Sequence, residues 1–350
     1  MLQTHVERRV LRFRRPATTS RGSYTTRTIR LVRISDDTRP GIVGTGECSP
    51  LPDLSIDALD DDQYDLLLLT VLDDLRQTGT IDREALRPFP SILFGIETAM
   101  WQLERGGSTA LSDTPFGRGQ EGIRINGLVW MGTFEEMMAR MEEKVAAGFK
   151  CIKIKIGGID FDHEIKMLGA LRSRFDKSTI ELRLDANGSF APGNAMERLD
   201  TLAKYDIHSI EQPLAAGQWE ATADLCSRSP IAIALDEELI RVTEAEEKER
   251  MLETIRPQYL VIKPTLHGGM AGSREWVGMC RKRGIGSWMT SALESNVGLN
   301  AVAHLAASVY TTSSGEMMPQ GLGTGQLFEE NIAMPLEIRG ERLHYNVSRP

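Results

Sequence analysis

The stretch KCIKIKIGG, residues 150–158, decides the fold of this chain. It is a short run rich in β-branched residues that ends in two glycines, as a strand followed by a loop does. Lys153 and Lys155 are two positions apart, so in a strand their side chains point to the same face. On an exposed face such a pair is an ordinary solvated strand, which is the commoner case for the motif alone. If this face of the strand lines a functional site, both ammonium groups point into that site.

Beyond about residue 120, short apolar strands alternate with helical segments. Five strands follow the lysine strand, with a helical segment between successive strands: IELRLDAN, HSIEQP, IAIALDEE, QYLVIKPT and GIGSWMTSALES. The pairs Thr133–Glu136 and Thr243–Glu246 predict capping boxes at the starts of two of the helices. This alternation predicts right-handed parallel βαβ units, in an open doubly wound sheet or in a closed barrel. No GxGxxG motif follows the first strand, so a dinucleotide-binding sheet has little support.

Each of these strands up to QYLVIKPT carries charged residues at or near its C-terminal end. Successive positions are 30, 26, 25 and 27 residues apart, about one βα unit each time, from Lys155 (with Lys153) to Asp185, Glu211, Asp236 and Lys263. Charged groups scattered through a core would be costly to bury. In a (β/α)₈ barrel the C-terminal strand ends surround one pocket, where the active sites of that fold lie. We therefore expect a barrel in which these side chains face each other.

Taken one at a time, the same motifs have simpler explanations. DAN suits a turn or a helix N-cap, and EQP suits a strand that ends at Pro213. DEE at 236–238 suits the start of a helix, where carboxylates are favoured. Lys263 before Pro264 suits a surface lysine that extends along apolar surface. Their order and common spacing together favour a site.

The three carboxylates Asp185, Glu211 and Asp236 would repel each other strongly without a cation between them. An all-oxygen set of ligands suits Mg²⁺, with Mn²⁺ as a substitute, better than zinc, which prefers nitrogen and sulfur. We therefore expect these residues to bind Mg²⁺ and to leave other coordination positions to water and substrate.

The lysines then have a chemical reason to be there. A neighbouring ammonium, partial burial and the metal would each lower the pKa of a lysine, toward the range of a general base. Lys263 would approach the substrate from the face opposite Lys153 and Lys155. A base beside a divalent cation predicts removal of the proton α to a substrate carboxylate, since the cation offsets the charge of the enolate.

Residues 1–120 follow a different pattern. VERRVLRF and TTRTIRLVRI predict two strands of an antiparallel hairpin, joined through the polar stretch PATTSRGSY as a long loop. Helices are expected over 57–78 and over SILFGIETAMWQLERGG, with Ser91 as the N-cap of the second. Strands followed by helices predict an α+β domain over 1–120, and the barrel domain would span 121–324.

Composition argues against several classes of protein. A net charge of −8 disfavours binding to nucleic acid or to anionic membranes. The four cysteines are far apart without a CxxC motif, which argues against a disulfide framework or a zinc cluster. The N-terminal stretch MLQTHVERRVLRFRRP has no apolar signal-peptide core. We expect a cytoplasmic enzyme of a small-molecule carboxylate, without nucleic-acid or membrane partners; the sequence leaves homo-oligomer formation open.

The elements KIKIG, RLDAN, SIEQP, ALDEE and LVIKP resemble those of the enolase superfamily, in the muconate-lactonizing-enzyme-like subgroup with KxK on the second barrel strand. The resemblance covers nearly the whole chain. It implies an α/β fold in which an α+β N-terminal capping domain covers a modified TIM barrel, (β/α)₇β, and residues 325–350 return to the cap. Enzymes of this superfamily use a Lys or His base with Mg²⁺ that stabilises an enediolate.

The resemblance also assigns roles to residues. Lys155 would be the base, with Lys153 beside it and Lys263 across the site. The metal ligands would be Asp185, Glu211 and Asp236. Further positions near the metal or the substrate are implied for Arg183, Asn187, Glu237, Thr290 and Ser291. Arg183 lies two residues before the first ligand on the same strand face, and is expected to touch a substrate carboxylate.

Members of the subgroup share this catalytic set: o-succinylbenzoate synthases of menaquinone biosynthesis, N-acylamino acid racemases, dipeptide epimerases and muconate-lactonizing enzymes. The stretches LHGG, SALESNVGL and GLGTGQLF and the length of 350 residues resemble the synthases, which are hydro-lyases. TSRG in the N-terminal loop resembles a loop that closes over substrate. The last barrel strand offers no acidic DxD-type motif for a substrate amine, which disfavours a dipeptide epimerase.

The resemblance implies a syn dehydration in a synthase, in which Lys155 removes the α proton and then helps hydroxide to leave. Lys263 would stay protonated. In a racemase, Lys155 and Lys263 would exchange the roles of acid and base. A non-catalytic barrel is the remaining alternative.

Overall fold

The computed structural model describes residues 1–19, 22–130, 132–310 and 317–348. The stretch TSRG therefore lies partly outside the described residues, at Ser20 and Arg21. Within the described ranges, no helix has the length and apolar character needed to cross a lipid bilayer.

An antiparallel sheet of order β1-β2-β3 begins the chain, and its strands are β1 (Leu2–Thr19), β2 (Gly22–Asp36) and β3 (Val43–Cys48). Helices α1 (Asp61–Thr78) and α2 (Pro90–Glu104) follow. The buried side chains of α1 recur along one face, as expected of an amphipathic helix: Tyr64, Leu68, Leu72 and Leu75. They join buried residues of β2 and α2 in one hydrophobic cluster, so these helices and strands share a core.

The contact between β3 and α2 depends on two glycines. A Cβ atom on Gly44 would lie 1.8 Å from the Ala99 carbonyl oxygen, and one on Gly46 would lie 1.8 Å from the Gly95 carbonyl oxygen. Only glycine permits the two backbones to approach this closely.

Three local predictions for the helices and the hairpin were wrong. Ser91 does not cap α2, because Pro90 takes the first helical position, where its fixed φ and missing N–H are favourable. The polar connection of the hairpin is largely strand, since β1 continues to Thr19 after a register shift between Arg12 and Ala17. The box at Thr243 does not form, and that hydroxyl donates to the carboxylate of Glu244 instead.

The predicted alternation of strands and helices is confirmed. After a short strand, β4 (Ile123–Arg124), the described residues form a seven-stranded parallel sheet of sequential order, and its strands are β5 (Gly127–Val129), β6 (Cys151–Lys155), β7 (Glu181–Asp185), β8 (Ile207–Glu211), β9 (Ala232–Leu235), β10 (Tyr259–Ile262) and β11 (Gly286–Met289).

Helices connect or follow these strands: α3 (Phe134–Ala146), α4 (Phe161–Arg174), α5 (Pro192–Leu202), α6 (Trp219–Arg228), α7 (Ala245–Ile255), α8 (Gly269–Arg283) and α9 (Asn296–Tyr310). Short 3₁₀ helices span Ala203–Tyr205, Glu237–Leu239 and Thr324–Gln326. The capping box that Thr133 and Glu136 predict is confirmed at the start of α3.

The sheet is curled, and a later segment bonds to both of its edges. Gln320 donates its backbone N–H to the Arg124 carbonyl (2.9 Å) and accepts from the N–H of Asn126 (3.0 Å). Gly321 donates to the Met289 carbonyl at the end of β11 (2.8 Å). The fold is therefore α/β with a curled parallel sheet and an N-terminal strand-rich domain, while the complete (β/α)₇β barrel stays a prediction.

The C-terminal residues contact both parts of the chain. The Leu327 carbonyl accepts from the N–H of Arg14 (2.8 Å), and Glu329 donates to the Arg12 carbonyl (2.8 Å), so this segment lies along β1. Strands β12 (Leu336–Arg339) and β13 (Arg342–Tyr345) then form an antiparallel sheet with β4. The domain limits at residues 120 and 324 stay predictions.

Candidate active site

The strand registers place the charged strand ends side by side. Lys155 at the end of β6 is paired with Asp185 of β7, which is paired with Glu211 of β8. Glu211 is paired with Ala234 of β9, and Asp236 follows two residues later, directly after the end of that strand. Because neighbouring parallel strands end at one edge of the sheet, these side chains converge there.

Together, Lys153 and Lys155 reach the carboxylates of the next two strands. Lys155 Nζ lies 2.7 Å from Asp185 Oδ2 and 2.8 Å from Asn187 Oδ1. Lys153 Nζ lies 2.8 Å from Glu211 Oε2 and 3.1 Å from Asp185 Oδ2. The side chains of the two lysines are only 8% and 9% exposed, so the lysine face is the inside of a site.

The other side of the cluster comes from β9 and β10. Lys263, just after β10, donates from Nζ to Asp236 Oδ2. Asn187 links the two sides, because its Nδ2 donates to Glu237 Oε1 at 2.9 Å while its Oδ1 accepts from Lys155. We call the eight residues Lys153, Lys155, Asp185, Asn187, Glu211, Asp236, Glu237 and Lys263 the lysine–carboxylate cluster.

Direct contacts with carboxylates dominate the electrostatics of two of the lysines. Burial acts to lower the pKa of Lys153, but the adjacent carboxylates of Glu211 and Asp185 outweigh it and raise that pKa above its ordinary value. The pKa of Lys263 is raised in the same way, by Asp236 against burial. The lowered pKa expected of a lysine beside a bound metal ion stays a prediction.

The carboxylates respond in opposite directions. Burial opposes the charge of Asp185, but Lys155 and Lys153 hold its pKa well below the ordinary range. At Glu211, burial and the negative charge of Asp185 raise the pKa despite the contact with Lys153. Burial also raises the pKa of Glu237. The raised pKa values of Glu211 and Glu237 indicate that the lysine ammonium groups do not fully offset the negative charge of the carboxylates in the cluster.

The cluster has unused oxygen ligands. Among the described residues, Glu211 Oε1 and Asp236 Oδ1 are buried without a hydrogen-bond partner. Buried carboxylate oxygens without partners are costly, and an oxygen-binding divalent cation would satisfy them. In this arrangement no group of three or more His, Cys, Asp or Glu in the described ranges is placed to hold a metal, because each carboxylate bonds to a lysine instead. The donor chemistry of these carboxylates fits a hard divalent cation.

The structure does not bring the remaining predicted residues into the cluster. Arg183 is fully buried, donates to Glu181 Oε1 (2.8 Å) and to the Pro319 carbonyl (2.9 Å), and its guanidinium stacks on Trp288. These contacts occupy Nε and Nη1, while Nη2 is buried without a hydrogen-bond partner among the described residues, so the contact with a substrate carboxylate stays a prediction.

Thr290 and Ser291 are likewise bonded within the protein. The Thr290 hydroxyl donates to the Gly321 carbonyl at 3.0 Å, and the Ser291 hydroxyl donates to Glu294 Oε2 at 2.6 Å. Both residues follow β11 at the same edge of the sheet as the cluster, and their hydroxyls fix the loop there.

Sequence reasoning missed two residues next to the cluster, Gln212 and Glu238. Gln212 is fully buried and has a backbone φ of 39°, in the left-handed region. Its side chain contacts Glu238 at 3.1 Å. Each directly follows a residue that the sequence did single out, but no pattern in one sequence reveals a left-handed backbone at a glutamine.

Carboxylates of the N-terminal domain bind the starts of two helices around the sheet. Glu47 of β3 accepts from the backbone N–H groups of Ser295 (2.9 Å) and Gly298 (3.0 Å), at the start of α9. Glu97 of α2 accepts from those of Met270 (2.7 Å) and Ala271 (3.2 Å), at the start of α8. These bonds occupy N–H groups that a helix start otherwise leaves free, so the N-terminal domain is fixed against the edge that carries the cluster.

Comparison with known proteins agrees with this geometry. A family model described as "Enolase C-terminal domain-like" matches residues 136–346. The chain belongs to the enolase superfamily. Enzymes of this superfamily generally use a divalent metal ion.

Relatives of known activity are similar over much of the chain. The o-succinylbenzoate synthase of Desulfotalea psychrophila (strain LSv54 / DSM 12343) is 41% identical, over 94% of this chain and 95% of that protein. The crystal structure of MenC from Desulfotalea psychrophila LSv54 matches with a TM-score of 0.81 and 38% identity, over 98% of this chain and 99% of that one. The L-Ala-D/L-Glu epimerase of Bacillus subtilis (strain 168) is 30% identical, over 50% of this chain and 47% of that protein.

Proposed function

We propose that this protein is a divalent-metal-dependent o-succinylbenzoate synthase, a hydro-lyase of menaquinone biosynthesis that acts on a small-molecule carboxylate. The observation that carries the proposal is the 41% identity to an o-succinylbenzoate synthase over 94% of this chain. The lysine–carboxylate cluster supports it, because such a reaction needs a base, a second cation and ligands for a metal in one buried place.

The metal would be held by Asp185, Glu211 and Asp236, which supply an oxygen-only set of donors suited to Mg²⁺. When bound, Mg²⁺ supplies positive charge that stabilises the negative charge developing on the substrate carboxylate as the α proton leaves. The unpartnered oxygens of Glu211 and Asp236 support this assignment.

The chain's own residues would carry the proton transfers. Lys155 Nζ, held between Asp185 and Asn187, would take the α proton of the cyclohexadiene carboxylate. The same ammonium would then return that proton to the departing hydroxyl on the same face, so that water leaves and the aromatic ring forms. Lys263 on the other side, whose pKa is raised by Asp236, would keep its positive charge and attract the flat intermediate. Burial of the cluster excludes water from the base.

The same proposal includes the larger architecture. We infer that the segment at Gln320 and Gly321 is the eighth strand of a (β/α)₇β barrel, since it bonds to both edges of the curled sheet. We also infer a capping domain over 1–120 and a barrel over 121–324, with 325–350 returning. The contacts of Leu327 and Glu329 with β1 support the return.

A racemase or epimerase is the second candidate. Lys155 and Lys263 lie on non-adjacent strands and bond to different carboxylates, an arrangement that also suits a two-base proton exchange. In D₂O, such an enzyme would incorporate deuterium at the α carbon of an N-succinylamino acid. A dedicated synthase would produce the aromatic product, which absorbs in the ultraviolet, with little exchange into the amino acid.

The test of the proposed function is Lys155→Ala in the full chain with Mg²⁺. We expect turnover of the cyclohexadiene carboxylate to be lost while the circular dichroism spectrum stays that of the wild type. Lys177→Ala, which removes a lysine whose side chain is 73% exposed, is the control and should keep full activity. Turnover by Lys155→Ala at the wild-type rate would refute the assignment of the base.

A further inference from the structure

Gln212 connects three neighbouring strand ends through its backbone. It directly follows Glu211, its N–H donates to the Ala234 carbonyl of β9 (2.8 Å), and its carbonyl accepts from the N–H of Gly188 after β7 (2.6 Å). Its φ of 39° is unfavourable for a residue with a side chain, and such conformations persist only where the surroundings impose them. The backbone at this position is therefore tightly constrained.

The side-chain amide of Gln212 uses its full bonding capacity. Oε1 accepts from the backbone N–H groups of Asp236 and Glu238, both at 3.2 Å. Nε2 donates to the Leu214 carbonyl at 2.9 Å and to Glu238 Oε2 at 3.1 Å. An amide has two donors and two acceptor positions, so its orientation is fixed by these four bonds.

Glu238 anchors this amide to the loop after β8. Its Oε1 accepts from the Gly217 N–H at 2.7 Å and from Trp219 Nε1 at 2.8 Å. Both Gln212 and Glu238 are buried, so the bond between their side chains is shielded from solvent. Moving the amide would therefore break its bonds to the segment after β9 and to the loop after β8 at once.

We propose that Gln212 is a positioning residue for the divalent metal, and that its amide sets the place of Asp236 relative to Glu211 and Asp185. This inference rests on the metal site of the proposed function. The amide binds the N–H of Asp236 itself, and the backbone of Gln212 continues from Glu211. A shift of this side chain therefore changes the distance between two of the ligands without removing either.

A glutamine that serves only stability would behave differently. Its loss would lower the free energy of unfolding and leave the affinity for metal unchanged. Gln320 offers a matched control: it is also fully buried, and its side chain accepts from the Met289 N–H (2.7 Å) and donates to the Met318 carbonyl (2.7 Å). It contacts none of the three ligands in these bonds.

The experiment is a titration of the full chain with Mg²⁺ by calorimetry, and with Mn²⁺ by electron paramagnetic resonance. Gln212→Asn keeps an amide and suits a left-handed backbone, but is too short to reach Asp236. We expect it to weaken metal binding by about 10- to 100-fold, as loss of a group that orients a metal ligand does. Gln320→Asn should lower the melting temperature and bind metal as the wild type does.

A second variant covers the case in which Gln212→Asn does not fold. Glu238→Gln leaves Gln212 in place but has one acceptor oxygen instead of two, so it cannot accept both from Gln212 and from Gly217 and Trp219. It should weaken Mg²⁺ binding by a smaller factor. Wild-type affinity in every folded variant of the two would overturn the inference. If the wild-type chain itself bound neither Mg²⁺ nor Mn²⁺, the proposed metal-dependent function would fail instead, which is a distinguishable result.

Discussion

Replacement of Asp57 by asparagine should remove one source of pH dependence from the stability of this protein. Asp57 is 1% exposed, and its Oδ2 accepts from the N–H (2.8 Å) and the hydroxyl (2.6 Å) of Ser91 in the first turn of α2. Its Oδ1 is buried without a hydrogen-bond partner among the described residues. The ionised carboxyl is therefore only half satisfied in the folded protein.

The size of the effect follows from the pKa. Burial, opposed by the bonds from Ser91, raises the pKa of Asp57 from 3.8 to about 6. Since each pKa unit corresponds to 1.36 kcal/mol, ionised Asp57 costs about 3 kcal/mol in the folded state. Because the folded pKa is higher than the unfolded one, protonated Asp57 contributes to the free energy of unfolding. This contribution is fully present below pH 3.8 and is lost as the pH rises through 6. An asparagine stays neutral and loses nothing across that window.

The assay is urea denaturation of wild type and Asp57→Asn, followed by circular dichroism from pH 4 to pH 7.5. The free energy of unfolding of the wild type, relative to the variant, should fall by about 2–3 kcal/mol over this range. Asp113→Asn, at a side chain that is 72% exposed, is the control. Parallel pH profiles for wild type and Asp57→Asn would show that Asp57 does not titrate as argued.

Two further perturbations test the packing around the sheets. Gly46→Ala would place Cβ 1.8 Å from the Gly95 carbonyl oxygen and should destabilise the protein severely. Gly193→Ala in α5 is the control, because its Cβ would meet no atom within 4 Å, and it should stabilise the protein by about 0.5–1 kcal/mol. Thermal unfolding of both variants distinguishes steric conflict from a general effect of alanine. Glu47→Ala leaves the Ser295 N–H buried without its acceptor and should lower the free energy of unfolding by about 2–5 kcal/mol, measured by denaturation in urea. A loss of about 0.5 kcal/mol or less, as is usual for surface substitutions, would contradict the capping role.

The sequence predicted the structure correctly where hydrophobic periodicity or interactions between residues close in the chain determine it. The parallel strands and their helices followed from alternating apolar segments, and the box at Thr133 followed from a local pair. Ser91 was assigned wrongly because it lies inside α2, where its N–H and hydroxyl donate to Asp57, 34 positions away in the chain. The extension of β1 through Pro16 was also not predictable, since it depends on pairing with β2 after a shift of register.

For the site, spacing sufficed to bring Lys155, Asp185 and Glu211 together, because parallel strands in register place their ends at one edge. Spacing did not reveal that Lys153 bonds to two carboxylates, which raise its pKa. It also could not reveal Gln212, whose importance lies in bonds to backbone groups of another strand rather than in its own position in a motif.

The hydrogen bonds from the start of α8 to Glu97 and from the start of α9 to Glu47 have a consequence for the cooperativity of unfolding. Each carboxylate is buried or nearly so, and each helix start depends on a residue contributed from more than 170 positions earlier in the chain. Separation of the two parts would leave both carboxylates and the backbone N–H groups at both helix starts without these hydrogen-bond partners. Melting should therefore occur as a single concerted transition, and a fragment lacking the first hundred residues would be a poor surrogate for the intact molecule.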